Sequence, residues 1–208
     1  MCPDLVEEER LWGAGYAAIA GLDEAGRGAL AGPVVAGAVV LPKGVGLAGI
    51  WAEVRDSKML SPGRREELAH AIRAEAAGWA VGEASAHEID AIGIAPATRL
   101  AMQRALDALP IRPDYLLLDW VRLVAVNLPQ ESFTKGDARI VSIAAASILA
   151  KVHRDGLLVD LAQTYPLYGF AAHKGYGAAS HLATIERHGP CPAHRLSFAP
   201  MRQEQTLL

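Results

Sequence analysis

The sequence has few cysteines, few aromatic residues and no long apolar run. Two cysteines in 208 residues, Cys2 and Cys191, are too few for a disulfide framework. No stretch reaches the roughly 18 uncharged apolar residues that a membrane span needs. The first ten residues hold four acids against one arginine, the reverse of the basic start of a secretory signal. We therefore expect a cytoplasmic protein without a membrane partner.

The charge of the chain is small overall but unevenly distributed. The net charge of −3 argues against a general binder of polyanions. Residues 1–134 hold 12 basic and 18 acidic side chains, whereas residues 135–202 hold 8 basic and 4 acidic ones and five of the seven histidines. This asymmetry is common in ordinary proteins, and it also permits an acidic site beside a basic surface.

Apolar residues make up 51% of the chain and charged residues 21%, which argues against intrinsic disorder and predicts one sizeable domain with a real core. Apolar and β-branched runs predict strands at residues 17–22, 33–41, 79–85 and 115–119. Helices are predicted at 62–77, with Ser61 as N-cap and Pro62 at the first helical position, at 87–109 with a break near Gly93 and Pro96, and at 138–164. The last helix is apolar on most faces, so we expect it to be buried. The order of elements predicts an α/β protein with a mixed sheet.

Acidic residues stand at the ends of predicted buried elements. Asp23 and Glu24 follow the first strand, Asp119 ends the fourth, and Asp137 opens the long helix. Taken singly, Asp119 is explained equally well as the start of a turn and Asp137 as a helix N-terminal acid. Buried carboxylates are costly unless paired or bound to metal. Converging acids without His or Cys suit Mg²⁺ or Mn²⁺, which activate water and offset charge on a phosphodiester.

Two glycine-rich segments are candidates for ligand contact. Gly26-Arg27-Gly28 is not a dinucleotide fingerprint, because a valine-rich strand and not a helix follows it. Its glycines let backbone N–H groups approach a ligand, although a tight turn with a surface arginine explains it as well. Glycines also flank Tyr176, whose ring can stack on a sugar or base, and Lys174 suits a phosphate. Taken alone, this second segment is more often a plain loop.

A zinc site is a weaker alternative in the C-terminal region. His188, Cys191 and His194 have spacings that suit a metal, but they supply only three ligands. Pro190 and Pro192 stiffen the same segment. We therefore favour a structural role for these residues over zinc binding.

Together, the segments resemble the ribonuclease HII family, the type 2 ribonucleases H. The resemblance runs in the family's order from about residue 17 to 200. The matching segments are Gly21-Leu-Asp-Glu-Ala-Gly-Arg-Gly28, Ala31-Gly-Pro-Val-Val35, Asp56-Ser-Lys58 with Leu60-Ser61, Leu118-Asp119, Lys135-Gly-Asp137, Ser142-Ile-Ala-Ala-Ala-Ser-Ile-Leu-Ala-Lys151 with Arg154-Asp155, Tyr168-Gly-Phe170, His173-Lys-Gly-Tyr-Gly177, and His194-Arg195 with Ser197-Phe198.

The resemblance implies a ribonuclease H-like fold, with a mixed central sheet flanked by helices and a small helical C-terminal portion. On this basis we expect an acidic N-terminal extension at 1–16, a catalytic domain at 17–200 and a tail at 201–208. The implied activity is endonucleolytic cleavage of the RNA strand in RNA–DNA hybrids, and cleavage at single ribonucleotides within duplex DNA. The products would carry 3′-hydroxyl and 5′-phosphate ends.

The resemblance also implies roles for individual residues. The catalytic acids would be Asp23, Glu24, Asp119 and Asp137, of which the first three would bind Mn²⁺ or Mg²⁺. The backbone of Gly26, Arg27 and Gly28 would read the 2′-hydroxyl, and Tyr176 would stack beneath the ribonucleotide sugar. We add the hypothesis that Lys58, Lys151 and Lys174 contact the phosphate backbone.

This chain departs from the family's pattern at two positions. Trp120 stands where the family usually has glycine, and Ala29 where proline is common. Two alternative functions remain at this point: a catalytically silent hybrid-binding domain, and another metal-dependent nuclease on the same fold. The four acids argue against the first, and the segment 26–28 together with Tyr176 argues against the second. We expect a monomer, and residues 203–208 suggest either a replication-clamp tail or, more simply, a frayed end.

Overall fold

A five-stranded mixed sheet forms the centre of the computed structural model, which describes residues 2–204. The strands are β1 (Ile19–Ala25), β2 (Val34–Val40), β3 (Gly78–Ala84), β4 (Tyr115–Asp119) and β5 (Gln130–Phe133). Their order in the sheet is β3-β2-β1-β4-β5. The β3-β2-β1 half is antiparallel, whereas β1, β4 and β5 are parallel. The mixed sheet confirms the predicted fold class.

Helices cover both faces of the sheet. Within residues 2–204 they are α1 (Val6–Gly13), α2 (Pro62–Glu75), α3 (Ala86–Ile92), α4 (Ile94–Asp107), α5 (Val141–Thr164), α6 (Phe170–His173), α7 (Ala179–His188) and α8 (Ala199–Glu204). Strand residues of even number, such as Leu22 and Leu118, pack with α4 in one apolar cluster. The opposite face packs against α5. None of the described helices combines the length and apolarity needed to cross a bilayer.

Helix α5 approaches the sheet unusually closely because two strand residues lack side chains. A Cβ atom at Gly37 would lie 2.3 Å from the carbonyl oxygen of Ala146, and one at Gly21 would lie 2.3 Å from the carbonyl carbon of Ser142. Such distances are far below van der Waals contact, so only glycine fits at either position. The fit brings the N-terminal part of the helix against β1, which carries Asp23 and Glu24, and β2.

The C-terminal portion is built around a third apolar cluster. Helices α6–α8 enclose Phe170, Ile185 and Cys191, and Leu158 of α5 joins them to the rest of the protein. The segment at residues 31–32 connects to this portion through backbone hydrogen bonds, including that from Gly32 N–H to Ala193 C=O at 2.8 Å. The boundaries expected at residues 16 and 200 stay predictions.

Several elements differ from the expected ones. Strand β1 extends to Ala25, so Asp23 and Glu24 lie within it and not after it. Helix α5 begins at Val141 and not at residue 138, because Gly136–Ala138 forms a separate 3₁₀ turn that contains Asp137. The expectation that this helix is buried throughout was wrong for its second half, which is largely half-exposed beyond residue 150. Strand β5 and helix α1 were not predicted, because their short sequences carry weak periodicity.

Other local signals were confirmed. Ser61 caps α2 by accepting a hydrogen bond from Arg64 N–H, with proline at the first helical position. The expected break between residues 87 and 109 separates α3 from α4 at Gly93, whose φ of +83° is easy only for glycine. Both signals depend on residues close in sequence, which is why they could be predicted from the sequence.

Candidate active site

A groove of about 440 Å³ opens where the parallel strands β1 and β4 end. It collects residues from β1, the loop after it, β4, the 3₁₀ turn Ser57–Met59, α5 and the loop after α6. The lining residues are Asp23, Glu24, Ala25, Gly26, Arg27, Gly28, Ser57, Lys58, Asp119, Ser147, Lys151 and Tyr176. Nine of the eleven site residues expected from the sequence therefore share one groove.

The strand register places two of the acids side by side. Leu22 pairs with Leu118 in the parallel β1–β4 ladder, so the next residues, Asp23 and Asp119, are neighbours on the same face. Asp23 Oδ1 accepts the N–H of Glu24 at 2.7 Å. Asp119 Oδ1 accepts the N–H of Gly136 at 2.7 Å. One oxygen of each carboxylate is thus oriented by the backbone.

Glu24 is held from the outer side of the groove. Its Oε1 accepts a hydrogen bond from Trp120 Nε1–H at 3.3 Å and lies 4.0 Å from an Arg27 guanidinium nitrogen. Its Oε2 is buried and has no hydrogen-bond partner within the described residues. A buried carboxylate oxygen without a donor costs free energy, so this atom is suited to a cationic ligand.

The acids destabilise one another's charged forms. The pKa of Asp23 is raised well above its usual range. Burial is the largest cause, and the negative charges of Glu24, Asp119 and Asp137 add to it. Burial is also the main cause of the raised pKa of Glu24, and of that of Asp119. Asp137 Oδ2 lies 3.3 Å from Nζ of Lys58, one of the basic side chains that line the groove. Carboxylates arranged in this way favour any added positive charge.

The acids fit a hard divalent cation in chemistry, although they do not form a finished cage. Within residues 2–204, no three His, Cys, Asp or Glu side chains are grouped closely enough to hold a metal ion as they stand. The all-carboxylate donor set, the mutual repulsion and the unpartnered Glu24 oxygen are what a site for Mg²⁺ or Mn²⁺ requires.

Two groups that can touch a nucleotide face the same groove. Gly26, Arg27 and Gly28 form one wall, with Gly28 exposed. The Tyr176 ring is 37% exposed and lies 5.6 Å from Lys151 Nζ, measured to the ring centroid. An exposed aromatic face beside a lysine is suited to stacking under a sugar or base next to a phosphate.

The expected lysines do not all lie in the groove. Lys58 and Lys151 line it. Lys174 lies outside it, in a separate depression beside Arg65 and Asp155, and its ammonium group donates to the Ala171 carbonyl. Asp137 is also not among the lining residues, but it contacts Lys58 directly. The role of Lys174 as a phosphate contact stays a prediction.

The three residues considered for zinc do not form a metal site. His188 is exposed at the end of α7, whereas Cys191 and His194 are buried. His194 Nδ1 accepts the N–H of Cys191 at 2.9 Å, and its Nε2 lies 3.0 Å from His181 Nε2. Both ring nitrogens of His194 are therefore engaged in hydrogen bonds.

Sequence reasoning missed two groups near the groove. Ser57 and Ser147 form a buried hydroxyl pair at 2.8 Å within its wall. Arg154 and Arg195 are fully buried behind the loop after β1. Both arginines lie in the segments that carry the family resemblance, which was the available signal, but nothing in the sequence indicates that they are buried.

The fold has close counterparts among solved structures. The crystal structure of ribonuclease H2 from Pyrococcus horikoshii matches with a TM-score of 0.77 and 27% identity, covering 91% of this chain and 98% of that one. The ribonuclease HII of Archaeoglobus fulgidus, solved in complex with PCNA, matches with a TM-score of 0.71 and 25% identity, covering 88% and 95%. The fold is thus that of the type 2 ribonucleases H.

The sequence comparisons lead to the same family. The ribonuclease HII family profile matches residues 20–201. Ribonuclease HII of Roseiflexus castenholzii is 55% identical over 201 residues, covering 96% of this chain and 90% of the relative. That of Dehalococcoides mccartyi is 52% identical over 203 residues, covering 97% and 95%. The chain belongs to the ribonuclease HII family and is a ribonuclease H, an endonuclease that hydrolyses phosphodiester bonds, as the sequence predicted.

Proposed function

We propose that this enzyme cleaves the RNA strand of RNA–DNA hybrids and also cuts duplex DNA at single embedded ribonucleotides. The observation that carries the proposal is the meeting, in one groove, of neighbouring acids, Asp23 and Asp119, with the Gly26–Gly28 loop and Tyr176. The acids supply the hydrolytic end of the site. The loop and the tyrosine supply contacts for one nucleotide of the scissile strand.

Asp23, Glu24, Asp119 and Asp137 are the proposed catalytic acids. The first three would hold Mg²⁺ or Mn²⁺, with Asp23 and Asp119 positioned by the strand register and Glu24 offering its unpartnered oxygen. When bound, such an ion lowers the pKa of water and offsets negative charge on the phosphodiester. Asp137, paired with Lys58, stands at the edge of this group and is suited to accept or return a proton through water.

The proposed reaction is hydrolysis of the phosphodiester bond beside the recognised ribonucleotide. A water oxygen forms a bond to phosphorus while the bond from phosphorus to the 3′ oxygen of the preceding nucleotide breaks. That nucleotide keeps a 3′-hydroxyl, and the phosphate remains on the 5′ side of the next one. Lys58 and Lys151, on the groove wall, are placed to bind neighbouring phosphates.

Selection for RNA requires a protein group that contacts the 2′-hydroxyl, because this group distinguishes ribose from deoxyribose. The exposed backbone at Gly28 and the N–H of Arg27 are suited to this role because glycines allow close approach. The Tyr176 ring would support the same sugar from its other side. Lys174 would bind a phosphate of the duplex outside the groove.

The test is cleavage of an end-labelled DNA duplex that carries one ribonucleotide, beside a hybrid and an all-DNA duplex. We expect a cut next to the ribonucleotide with Mn²⁺ or Mg²⁺, none with EDTA, and none in the all-DNA duplex. Asp23→Asn should abolish the cut while leaving duplex binding. Equal cutting of the all-DNA duplex, or full activity of Asp23→Asn, would contradict the proposal.

A replication clamp is a further candidate partner. The Archaeoglobus fulgidus relative was solved in complex with PCNA. The segment of this chain that suggested clamp binding, residues 203–208, lies largely outside the described residues. Clamp docking, the monomeric state and the cytoplasmic location stay predictions.

A further inference from the structure

Two buried arginines bind the carbonyl groups of the loop that follows β1. Arg195 donates from Nε to Gly32 C=O at 2.9 Å, and its two terminal nitrogens donate to Arg27 C=O at 2.9 Å and Gly26 C=O at 2.7 Å. Arg154 donates to the carbonyls of Pro33, Lys174 and Ala31, each at 2.9 Å. Within residues 2–204, neither guanidinium has a carboxylate partner in an ion pair.

Burying two cations without counterions is costly, so their retention calls for an explanation. The pKa of Arg195 falls to about 9 because of burial and the neighbouring charge of Arg154. Each side chain is instead satisfied by three carbonyl oxygens. The arginines therefore act on the backbone and not on an acidic side chain.

The geometry of the peptide bond gives these contacts a direction. In a trans peptide, the C=O of one residue and the N–H of the next point in opposite directions, and no cis peptide bond occurs in the described residues. Because Arg195 draws the carbonyls of Gly26 and Arg27 inward, the N–H groups of Arg27 and Gly28 must point away from it. Those two amides donate no hydrogen bond within residues 2–204, and both residues line the groove.

We infer that Arg195 is a positioning residue that aims two backbone amides at the 2′-hydroxyl of the bound ribonucleotide. The inference rests on the proposed function, since it assumes that the loop reads this hydroxyl. A guanidinium suits the task because its planar fork reaches two adjacent carbonyls at once. It also fixes the peptide planes before substrate arrives, so little ordering remains to be done on binding.

Arg154 provides a comparison variant, because it packs against Gly26 and lies 5.3 Å from the centroid of the Tyr176 ring but does not hold the carbonyls of Gly26 or Arg27. It is equally buried and also holds three carbonyls, but the amides that follow those carbonyls are used inside the protein. Gly32 N–H bonds to Ala193 C=O at 2.8 Å, and Gly175 N–H bonds to His173 Nδ1 at 3.2 Å. Loss of the Arg154 fork should therefore weaken the fold without removing donors from the groove.

The experiment compares Arg195→Lys with Arg154→Lys in the full-length protein. Affinity is measured in EDTA for two labelled duplexes that are identical except for one ribonucleotide. We expect the wild type to prefer the duplex with the ribonucleotide, and Arg195→Lys to lose about two- to tenfold of that preference, as expected for one or two weakened hydrogen bonds. The affinity of Arg195→Lys for the all-DNA duplex should change by less than about twofold, because that duplex offers no 2′-hydroxyl to the aimed amides. Arg154→Lys disturbs the support of Tyr176 for both duplexes alike, so its preference for the ribonucleotide duplex should also change by less than about twofold.

The wild type and the two variants together distinguish failure of the proposed function from failure of this inference. Absence of any preference in the wild type would overturn the proposed recognition of ribose together with this inference. A preserved preference in Arg195→Lys, or an equal loss in Arg154→Lys, would overturn the inference alone.

A measurement on the wild type covers the case in which Arg195→Lys does not fold. The ¹⁵N–¹H signals of the Arg27 and Gly28 amides should shift more with the ribonucleotide duplex than with the all-DNA duplex. Equal shifts with the two duplexes would contradict contact between these amides and the 2′-hydroxyl, and with it the aim assigned to Arg195.

Discussion

The guanidinium of Arg27 stacks on the indole of Trp120, with Cζ 3.8 Å from the ring centroid. The same indole donates its Nε1–H to Glu24 at 3.3 Å. Trp120 thus connects the loop after β1 to a proposed metal ligand, at a position where the family usually has glycine. Its φ of +43° lies in the left-handed region, which costs a residue with a Cβ atom about 1–2 kcal/mol. The contacts of the indole offset at least part of that cost.

Replacing Trp120 with glycine should therefore change substrate binding more than stability. Trp120→Gly relieves the backbone strain but frees Arg27, whose stacking on an exposed ring is worth about 0.5–1 kcal/mol. We expect KM for a ribonucleotide-containing duplex to rise about two- to fivefold, in line with that energy, while the free energy of unfolding changes little. Steady-state kinetics and urea unfolding measure the two effects.

Trp120→Phe is the control for this comparison. It retains an aromatic face for Arg27 and the left-handed backbone but loses the hydrogen bond to Glu24. We expect its KM to stay near that of the wild type. If the two variants show the same KM, stacking on Arg27 does not contribute to binding.

Glu8 of α1 provides a second prediction, because its carboxylate caps a helix from a distance. Its Oε1 accepts the N–H of Ser142 in the first turn of α5 at 2.9 Å, and α5 has no cap from its own N-terminal residue. Burial raises the pKa of Glu8, so ionisation of the side chain opposes folding. The native state holds this proton more tightly than the unfolded state does, and stability is lost as the pH rises above the usual glutamate range.

Glu8→Gln should remove this loss while keeping an acceptor for Ser142. We expect the variant to be more stable than the wild type at pH 8, with a smaller difference near pH 5, because glutamine does not titrate. Glu8→Ala, which leaves the Ser142 N–H without its cap, should lose about 1–2 kcal/mol. Urea unfolding at the two pH values checks both variants. A Glu8→Gln protein less stable than the wild type at pH 8 would contradict the assignment.

A chain of neutral histidines predicts sensitivity to acid. Cys191 N–H donates to His194 Nδ1, so the proton of a neutral His194 is on Nε2, which faces His181 Nε2. His181 Nδ1 then donates to the Tyr176 carbonyl at 2.8 Å. Burial lowers the pKa of His181 and lowers that of His194 to about 4. His173, stacked on His181 with ring centroids 4.2 Å apart, also contributes to the lowered pKa of His181 and of His194.

The sign of the effect follows from the lowered pKa of His194. The unfolded state takes up a proton near pH 6.5, whereas the native state does so near pH 4, so stability is lost as the pH falls between these values. The full loss amounts to at most roughly 3 kcal/mol. His194→Gln, though less stable near neutral pH, should show a flatter pH dependence in urea unfolding from pH 7 to pH 4.5. Parallel curves for wild type and variant would refute this account.

The two groove lysines predict the salt dependence of binding. If Lys58 and Lys151 each neutralise one phosphate, Lys58→Ala and Lys151→Ala should each reduce the slope of log affinity against log salt by roughly 0.9. Lys43→Ala is the matched control, because Lys43 follows the end of β2 that lies away from the groove. Titrations of a labelled duplex over a range of salt concentrations measure the slopes. Three equal slopes would exclude both lysines as phosphate contacts.

Much of the fold could be predicted from local sequence because the responsible contacts are local. Ser61 before Pro62 indicated the start of α2, and Gly93 the break before α4. The valine-rich run that forms β2 reads as a buried strand in any context. The acids could be identified as candidates because a carboxylate next to an apolar strand needs a partner. Family membership followed from the order of several such segments.

The sequence by itself therefore determined the fold class, the family and the candidate acids. Only the tertiary structure placed Asp23 beside Asp119, since that depends on a register between strands that are more than ninety residues apart. It likewise decided that Arg154 and Arg195 lie inside the protein, where an arginine is normally excluded. Burial of a charge is favourable only if distant carbonyls surround it, and no local pattern of residues encodes such a surrounding.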